Sequence, residues 1–383
     1  MPIDLQMLSK KISNYRLQFS LSISDVSLNT GISEERLNEF EGGLSEPSGD
    51  EILILADFYK CDYKYFISNE KLAPFEQTNA LFRRYGNEFN ITDRWAIQEI
   101  LFLAECEYFL DQQAFKEKIH FEYIKQGSFY KKHGIDAAAA LRNKLGYAPN
   151  VIPLDVFSDF RKIGIYVFRR KLENSNISGL YIKHPKAGHC VLINFNEDIF
   201  RQRFTAAHEA AHAIFDSTEE IVVSFTGIKW DEKDLKEVRA NNFAASYLVP
   251  DELLNTLLRN YHWTQESVKQ LSVKLKVNPK VLAIVLKGNK IITNDGYKLL
   301  QYVKIPQSEK QDPELSGKYS TKILDRKKML LEKGLSHEYV IKCINAYSNG
   351  LISAQRMAEM ILCDEKEFND ILSAFNVDIE YGY

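Results

Sequence analysis

The sequence has few cysteines and no recognisable export or membrane-spanning segment. Its five cysteines among 383 residues are scattered and odd in number, and none forms a C-x-x-C pair. This distribution indicates neither a disulfide framework nor a thiolate metal site, and it is typical of a reducing compartment. No apolar run is long enough to cross a bilayer, and the first residues lack the basic-then-apolar pattern of a signal peptide. We therefore expect a cytoplasmic protein that does not contact membranes.

An excess of charge of one sign is also missing. With 49 Lys and Arg against 52 Asp and Glu, the formal net charge is −3 at pH 7, which gives no general attraction to nucleic acid. Hydrophobic residues make up 45% of the chain and charged residues 26%, which is the ordinary balance of a globular protein. Low-complexity segments and internal repeats are absent, and the length indicates about two or three domains.

A short histidine–glutamate motif carries the strongest chemical signal. Residues 208–212 read His-Glu-Ala-Ala-His inside a segment whose pattern predicts a helix. Residues four apart share one helix face, with Cβ atoms roughly 5–6 Å apart, so His208 and His212 can bind one zinc ion. Glu209 can then act as general base toward a water that the metal activates. The alternative is a helix with two surface histidines, but a chance match has a probability of only about 0.01. Small or apolar neighbours also favour a packed metal site: Phe204, Ala207, Ala211 and Phe215.

A catalytic zinc site needs a third protein ligand and leaves one position for water. Glu237 is the best candidate and lies 25 residues past His212. Ala240 and Ala244 share its helix face, so this helix can approach the first one closely. Asn241, one turn further on, is predicted to hold a ligand in place by a hydrogen bond. Spacing alone does not exclude a solvated Glu237, and three other acidic residues are rivals: Glu219, Glu220 and Glu232.

The N-terminal region predicts a helix-turn-helix. The segment Asp4–Phe19 is amphipathic, and a turn containing Gly31 separates two short helices, the second of which Ser33 can cap. The stretch Ile32–Gly43, with the segment Ala56–Cys61 after it, resembles the lambda-repressor/Xre family of DNA-binding domains.

The charge of this region argues against a simple DNA-binding role. Residues 1–70 contain six basic and twelve acidic residues, a net charge of −6. Affinity for DNA depends strongly on Lys and Arg that neutralise phosphates. Operator binding and protein contact both stay open, with protein contact slightly favoured, and a homodimer can add the basic pairs 83–84 and 131–132. The predicted contact residues, for DNA or protein, lie on the second helix: Ser33, Glu34, Glu35, Arg36, Asn38 and Glu39.

The metal motif and its surroundings resemble the ImmA/IrrE family of zinc peptidases. The matching segments are Arg201–His212, Glu237–Ala245 and Leu248–Pro250, preceded by the strand-like runs Ile177–Leu180 and Val191–Asn194. The resemblance covers about residues 135–290. It implies His208, His212 and Glu237 as zinc ligands and Glu209 as the catalytic base. One departure is Ala211, where the family often has glycine.

Together these observations predict an α+β protein of four regions. We expect an all-α helix-turn-helix domain over residues 1–70 and a helical connector over 71–133. A zincin-like peptidase domain with a small sheet follows over 134–295, and a helical C-terminal region over 296–383. The resemblance implies that such fusions regulate transcription by cutting a repressor in mobile-element or stress-response switches, or act as antitoxin partners.

The predicted activity is that of a zinc-dependent endopeptidase that cleaves a repressor-type or neighbour-encoded protein. The alternative is a non-proteolytic regulator or antitoxin that binds DNA or a partner and uses the zinc fold as a scaffold. We expect the strand 191–194 to offer an edge to an extended substrate. Three residues are candidates for stabilising the transition state, each with a competing structural role: His184, His189 and Tyr247.

Overall fold

The computed structural model describes residues 3–69, 81, 88–114, 118–125, 127–174, 176–217, 221–225, 235–257, 262–315 and 320–375. The chain divides into two compact units. The first comprises Met1–Tyr108 with the short segments Leu172–Asn174 and His184–Ala187. The second comprises Phe109–Lys171, Ser175–Lys183 and Gly188–Tyr383.

Short, well-capped helices form the first unit. The Asp4, Ser22, Ser33 and Ser48 side chains accept hydrogen bonds from backbone N–H groups at the first turns, which satisfies donors that a helix leaves unpaired. Gly31 ends the second helix with φ of 73°, a left-handed conformation that favours glycine. These features confirm the predicted helix-turn-helix. The helices are α1 Leu5–Gln18, α2 Ile23–Thr30, α3 Glu34–Glu41, α4 Gly49–Phe58, α5 Lys64–Ile67 and the longer α6 Ile91–Gln113, whose residues from Phe109 onward belong to the second unit.

The first unit has an aromatic core of its own. Phe19 stacks on Trp95 with ring centroids 3.9 Å apart, and Tyr15 stacks on Tyr59 at 5.0 Å. Leu55 packs in the same cluster and is fully buried. The interior of this unit therefore depends on contacts between α1, α4 and the start of α6.

A four-stranded sheet forms the centre of the second unit. Its strands are β1 Tyr166–Arg170, β2 Ile177–His184, β3 Gly188–Asn194 and β4 Ile221–Phe225, in the order β1-β3-β2-β4. β1 pairs parallel with β3, and β2 pairs antiparallel with β4. The predicted substrate edge at residues 191–194 is therefore wrong, because β3 lies between β1 and β2 and both its edges are paired. Within the described residues, β4 is the edge strand on the β2 side.

Helices surround this sheet and confirm the α+β fold class. In the described part of the chain, no helix combines the length and apolar character needed to cross a membrane. The helices before the C-terminal region are α7 Tyr130–Lys144, α8 Val156–Lys162, α9 Ile199–Phe215, α10 Leu235–Leu248, α11 Asp251–Leu257, α12 Gln265–Leu275, α13 Pro279–Gly288 and α14 Asn294–Leu300. The described residues of the C-terminal region form two 3-10 turns and four helices: Gln307–Glu309, Pro313–Leu315, α15 Thr321–Glu332, α16 His337–Ser348, α17 Ala354–Met360 and α18 Glu365–Ala374.

Close packing of α7 against α10 depends on Gly134. A Cβ atom at this position would overlap the carbonyl oxygen of Arg239 and lie 2.8 Å from the backbone nitrogen of Phe243. The two backbones therefore touch, and no side chain fits between them. Because α10 also carries Glu237, the contact between α7 and α10 helps to fix the position of Glu237.

Replacing Gly134 with valine is expected to destabilise the second unit by about 2–3 kcal/mol, since overpacking against rigid backbone forces the helices apart. The free energy of unfolding in urea measures the effect. Gly288→Val is the matched control, because no atom lies within 4 Å of a Cβ built at Gly288. Equal stability of the two variants would contradict the close packing.

Candidate metal centre

The helix α9 presents both histidines of the sequence motif. Asp198 caps it by accepting hydrogen bonds from Phe200 N and Arg201 N at 3.0 and 3.1 Å. His208 and His212 lie on one face, as their spacing predicts, with ring centroids 4.9 Å apart. Their Nε2 atoms are 3.2 Å apart and both side chains are buried. Two imidazole nitrogens thus point at one place.

A buried arginine anchors the same helix. The Arg203 guanidinium is fully buried and donates hydrogen bonds to the backbone carbonyls of Pro153, Leu154 and Lys276 at 2.6, 2.5 and 3.2 Å. Burial lowers the pKa of Arg203 to about 10, so the side chain stays charged at neutral pH. These bonds tie α9 to the segment before α8 and to the end of α12.

Glu237, in the first turn of α10, completes the cluster. Its Oε2 lies 3.1 Å from His208 Nε2, and its Oε1 lies 3.2 Å from His212 Nε2. The three ligand atoms are all within 4.8 Å of one another. The structure therefore places Glu237 where a third ligand is needed. The rivals Glu219, Glu220 and Glu232 lie outside the described residues.

The cluster is electrostatically coupled. Burial lowers the pKa of His212, but hydrogen bonds to Asp216 and Glu237 outweigh burial and raise it to about 10. Burial raises the pKa of Glu237, but the two histidines hold it well below its usual range. Without a metal, His212 thus keeps its proton at neutral pH, and a divalent cation would compete with that proton for the imidazole ring.

Asp216 fixes the orientation of His212. Its Oδ2 lies 3.0 Å from His212 Nδ1, which leaves Nε2 directed at the cluster, and its Oδ1 accepts a hydrogen bond from buried Arg239. This is the supporting role that sequence analysis gave to Asn241. In the described structure Asn241 makes no hydrogen bond to His208, His212 or Glu237. The signal for Asp216 was its position four residues after His212 on the same helix face.

Replacing Asp216 with alanine is expected to weaken zinc binding by about 10–100-fold, the usual effect of removing a carboxylate that orients a histidine ligand. Titration against a chromophoric chelator measures the affinity. Asp295→Ala is the control, because its side chain is 91% exposed on α14. Since Arg239 loses its partner, circular dichroism should first show that the variant is folded. A folded variant with unchanged zinc affinity would rule out this role.

Glu209 stands beside the cluster on α9 and is fully buried. Burial raises the pKa of its carboxyl group, while His208 and His212 oppose that rise. Neither carboxylate oxygen has a hydrogen-bond partner among the described residues. A buried carboxylate without a partner is costly unless a ligand or water satisfies it, which is the position expected of a general base.

The sheet reaches Glu209 at Gly179 of β2. A Cβ atom at this position would lie 2.6 Å from Thr205 Cγ2, 3.0 Å from the carbonyl oxygen of Leu192 and 3.3 Å from Glu209 Cγ. Glycine therefore lets β2 lie directly against α9 at the level of Glu209. This gives a physical reason for the glycine in the segment Ile177–Leu180.

The donor set fits one divalent metal ion. Two imidazole nitrogens and one carboxylate oxygen are ligands that suit zinc, and three protein ligands leave a position open. The unpartnered carboxylate of Glu209 beside them fits a catalytic rather than a purely structural site. Among the described residues, this is the single cluster of His, Cys, Asp and Glu with ligand spacing.

Comparison with protein families agrees with this geometry. Residues 160–287 match the M78 peptidase family, described as the IrrE N-terminal-like domain, and residues 12–66 match a helix-turn-helix model. Both matched segments lie in this one chain. A search of the curated proteins gave no match. The fusion stated from sequence is thus confirmed, and the boundaries at residues 70, 133 and 295 stay predictions.

The proposed transition-state stabilisers have other partners in the structure. His184 Nε2 lies 3.3 Å from Glu105, and His189 Nδ1 lies 2.9 Å from the Tyr181 hydroxyl. The Tyr247 hydroxyl donates to Asp159 at 2.9 Å inside the core of the second unit. These contacts explain the three side chains as structural ones.

In the helix-turn-helix domain, α3 presents an acidic surface. Its single basic residue, Arg36, donates to Glu39 at 2.9 Å and to Glu51 at 3.1 Å. Ser33 caps the helix, with its hydroxyl accepting from the backbone N–H of Arg36 at 3.3 Å. Lys131 and Lys132 are exposed, whereas the pair 83–84 lies outside the described residues. The exposed residues of α3 are Glu34, Glu35 and Asn38.

Proposed function

We propose that the protein is a zinc-dependent endopeptidase that cleaves a specific regulatory protein. The convergence of His208, His212 and Glu237 within 4.8 Å of one another carries this proposal. The buried carboxylate of Glu209 beside them distinguishes a hydrolytic site from a scaffold, because a structural zinc site has no use for a general base.

Each residue has a role in peptide hydrolysis. His208, His212 and Glu237 would hold the zinc ion, which when bound activates water and polarises the scissile carbonyl. Glu209 takes a proton from the attacking water and passes it to the leaving amine nitrogen. Asp216 keeps His212 in the orientation that binding requires.

The edge strand β4 is the proposed docking site for the substrate backbone. β4 pairs with β2 through the register Gly179↔Ser224 and Tyr181↔Val222. Its opposite side carries backbone groups that can pair with an extended peptide. Since β2 contacts α9 at Glu209, a peptide added to β4 would run past the metal ligands. This assignment replaces the edge expected at β3.

We propose that the helix-turn-helix domain selects a protein partner. Arg36 is bound to two glutamates, so α3 offers DNA phosphates no free guanidinium. We expect this partner to be a repressor-like or neighbour-encoded regulator, and the same protein to be the substrate. The second candidate function is a DNA-binding regulator that uses the peptidase fold as a scaffold, and the helix-turn-helix match favours it.

One experiment separates the two functions. The protein is co-expressed with the products of adjacent genes, as wild type and as Glu209→Gln, and each product is examined for cleavage and for association. Cleavage by the wild type alone supports the peptidase. The DNA-binding regulator is supported if both proteins bind operator DNA equally well, also in the presence of chelator, and no neighbour-encoded protein is cleaved.

A further inference from the structure

The edge strand β4 carries one polar residue, Ser224, in the otherwise apolar sequence Ile221–Phe225. Ser224 pairs with Gly179 across the ladder, and paired residues of adjacent strands direct their side chains to the same face of the sheet. At Gly179 that face meets Glu209, because a Cβ atom there would lie 3.3 Å from Glu209 Cγ. Ser224 thus faces the general base.

The Ser224 hydroxyl and the Glu209 carboxylate are both buried. Ser224 is 8% exposed, and neither its hydroxyl oxygen nor the two carboxylate oxygens of Glu209 have a hydrogen-bond partner among the described residues. Buried polar groups that face each other in this way point to a shared function.

We propose that Ser224 is a positioning residue for Glu209. Its hydroxyl donates a hydrogen bond to one carboxylate oxygen, which leaves the other oxygen directed at the attacking water. A carboxylate accepts at both oxygens, so this contact restricts its rotation without occupying the oxygen that takes the proton. The proposal rests on the peptidase function proposed above, and it makes the edge strand a support for the base as well as a docking site.

The test uses the full-length protein loaded with cobalt(II), and acetohydroxamate as a probe that binds the metal. Binding is followed by the visible spectrum of cobalt, so no substrate is needed. Ser224→Ala is expected to weaken acetohydroxamate binding about tenfold, the effect of one lost hydrogen bond to a charged group. Ser224→Thr keeps the hydroxyl and should restore binding. Cobalt affinity should be the same in all three proteins.

Two controls show whether Ser224 acts through Glu209. Ser272→Ala removes another buried serine hydroxyl without a hydrogen-bond partner, from α12, and should leave binding unchanged. In a Glu209→Gln background, Ser224→Ala should have no further effect, because coupled residues are not additive.

The failure of this inference can be told from failure of the proposed function. Wild-type protein that takes up no cobalt would overturn the peptidase function and the positioning role together. Normal cobalt uptake with acetohydroxamate bound equally by wild type and Ser224→Ala would overturn the positioning role alone. Equal weakening of acetohydroxamate binding by Ser224→Ala and by Ser272→Ala would also overturn the positioning role. The same conclusion would follow if Ser224→Ala weakened binding just as much in the Glu209→Gln background.

Discussion

Replacing Glu209 with glutamine is expected to lower the rate of substrate cleavage by about 10²-fold or more while leaving the metal bound. Removal of a general base costs roughly 10²–10⁴-fold in rate. Glutamine keeps the size of the side chain but cannot accept the proton of the attacking water. Since Glu209 is not among the three ligand residues, metal content should stay at the wild-type level.

The measurement combines metal analysis with cleavage of the neighbour-encoded protein that associates with the chain. Because the variant binds but does not cut, it should also retain that substrate in a stable complex. Glu266→Gln, an exposed residue on α12, is the matched control and should cleave normally. Wild-type cleavage by Glu209→Gln would remove Glu209 from the mechanism, and loss of metal would place it among the ligands instead.

Much of the metal centre follows from local sequence. The helical repeat places His208 and His212 on one face whatever the rest of the fold does, and the adjacent Glu209 follows from the same helix. Glu237 needs a second helix, and only small residues such as Ala240 indicated that it can approach. The structure brings its carboxylate to the two histidines, and its role as a ligand, which spacing alone left open among several acids, stays a prediction.

The features that sequence analysis missed depend on tertiary contacts. β4 was not predicted, so the order of the strands was unknown and β3 was mistaken for an edge. Without β4, the position of Ser224 near Glu209 could not be predicted. Asp216 was visible as a residue four after His212, but its role depends on Arg239, which comes from another helix 23 residues further along the chain.

In the helix-turn-helix domain, too, local features could be predicted from the sequence and tertiary contacts could not. The end of α2 and the start of α3 could be predicted, because Gly31 and Ser33 act on the neighbouring backbone. The engagement of Arg36 by Glu51 could not, because it joins α3 to α4 across 15 residues. That ion pair strengthens the charge argument: α3 is acidic by composition, and its single arginine is also occupied.

Replacing Glu237 with glutamine is expected to weaken zinc binding by more than about 100-fold. Removal of a direct ligand should cost more than removal of a residue that only orients one, for which about 10–100-fold is usual. The variant also changes proton release. In the wild type the pKa of His212 is about 10, so His212 is protonated at pH 7 and must release its proton when zinc binds. Glu237 helps to raise that pKa, so Glu237→Gln should release fewer protons.

Isothermal titration calorimetry in two buffers of different ionisation enthalpy measures both the affinity and the protons released. Zinc affinity of the wild type should fall as the pH is lowered, because the histidines bind metal only when they are neutral. Glu309→Gln is the control. Glu309 forms an ion pair with Lys269 on α12, and this variant should bind zinc as the wild type does. If Glu237→Gln binds zinc as tightly as the wild type, the third ligand lies elsewhere, and the acids at positions 219, 220 and 232 become the residues to change next.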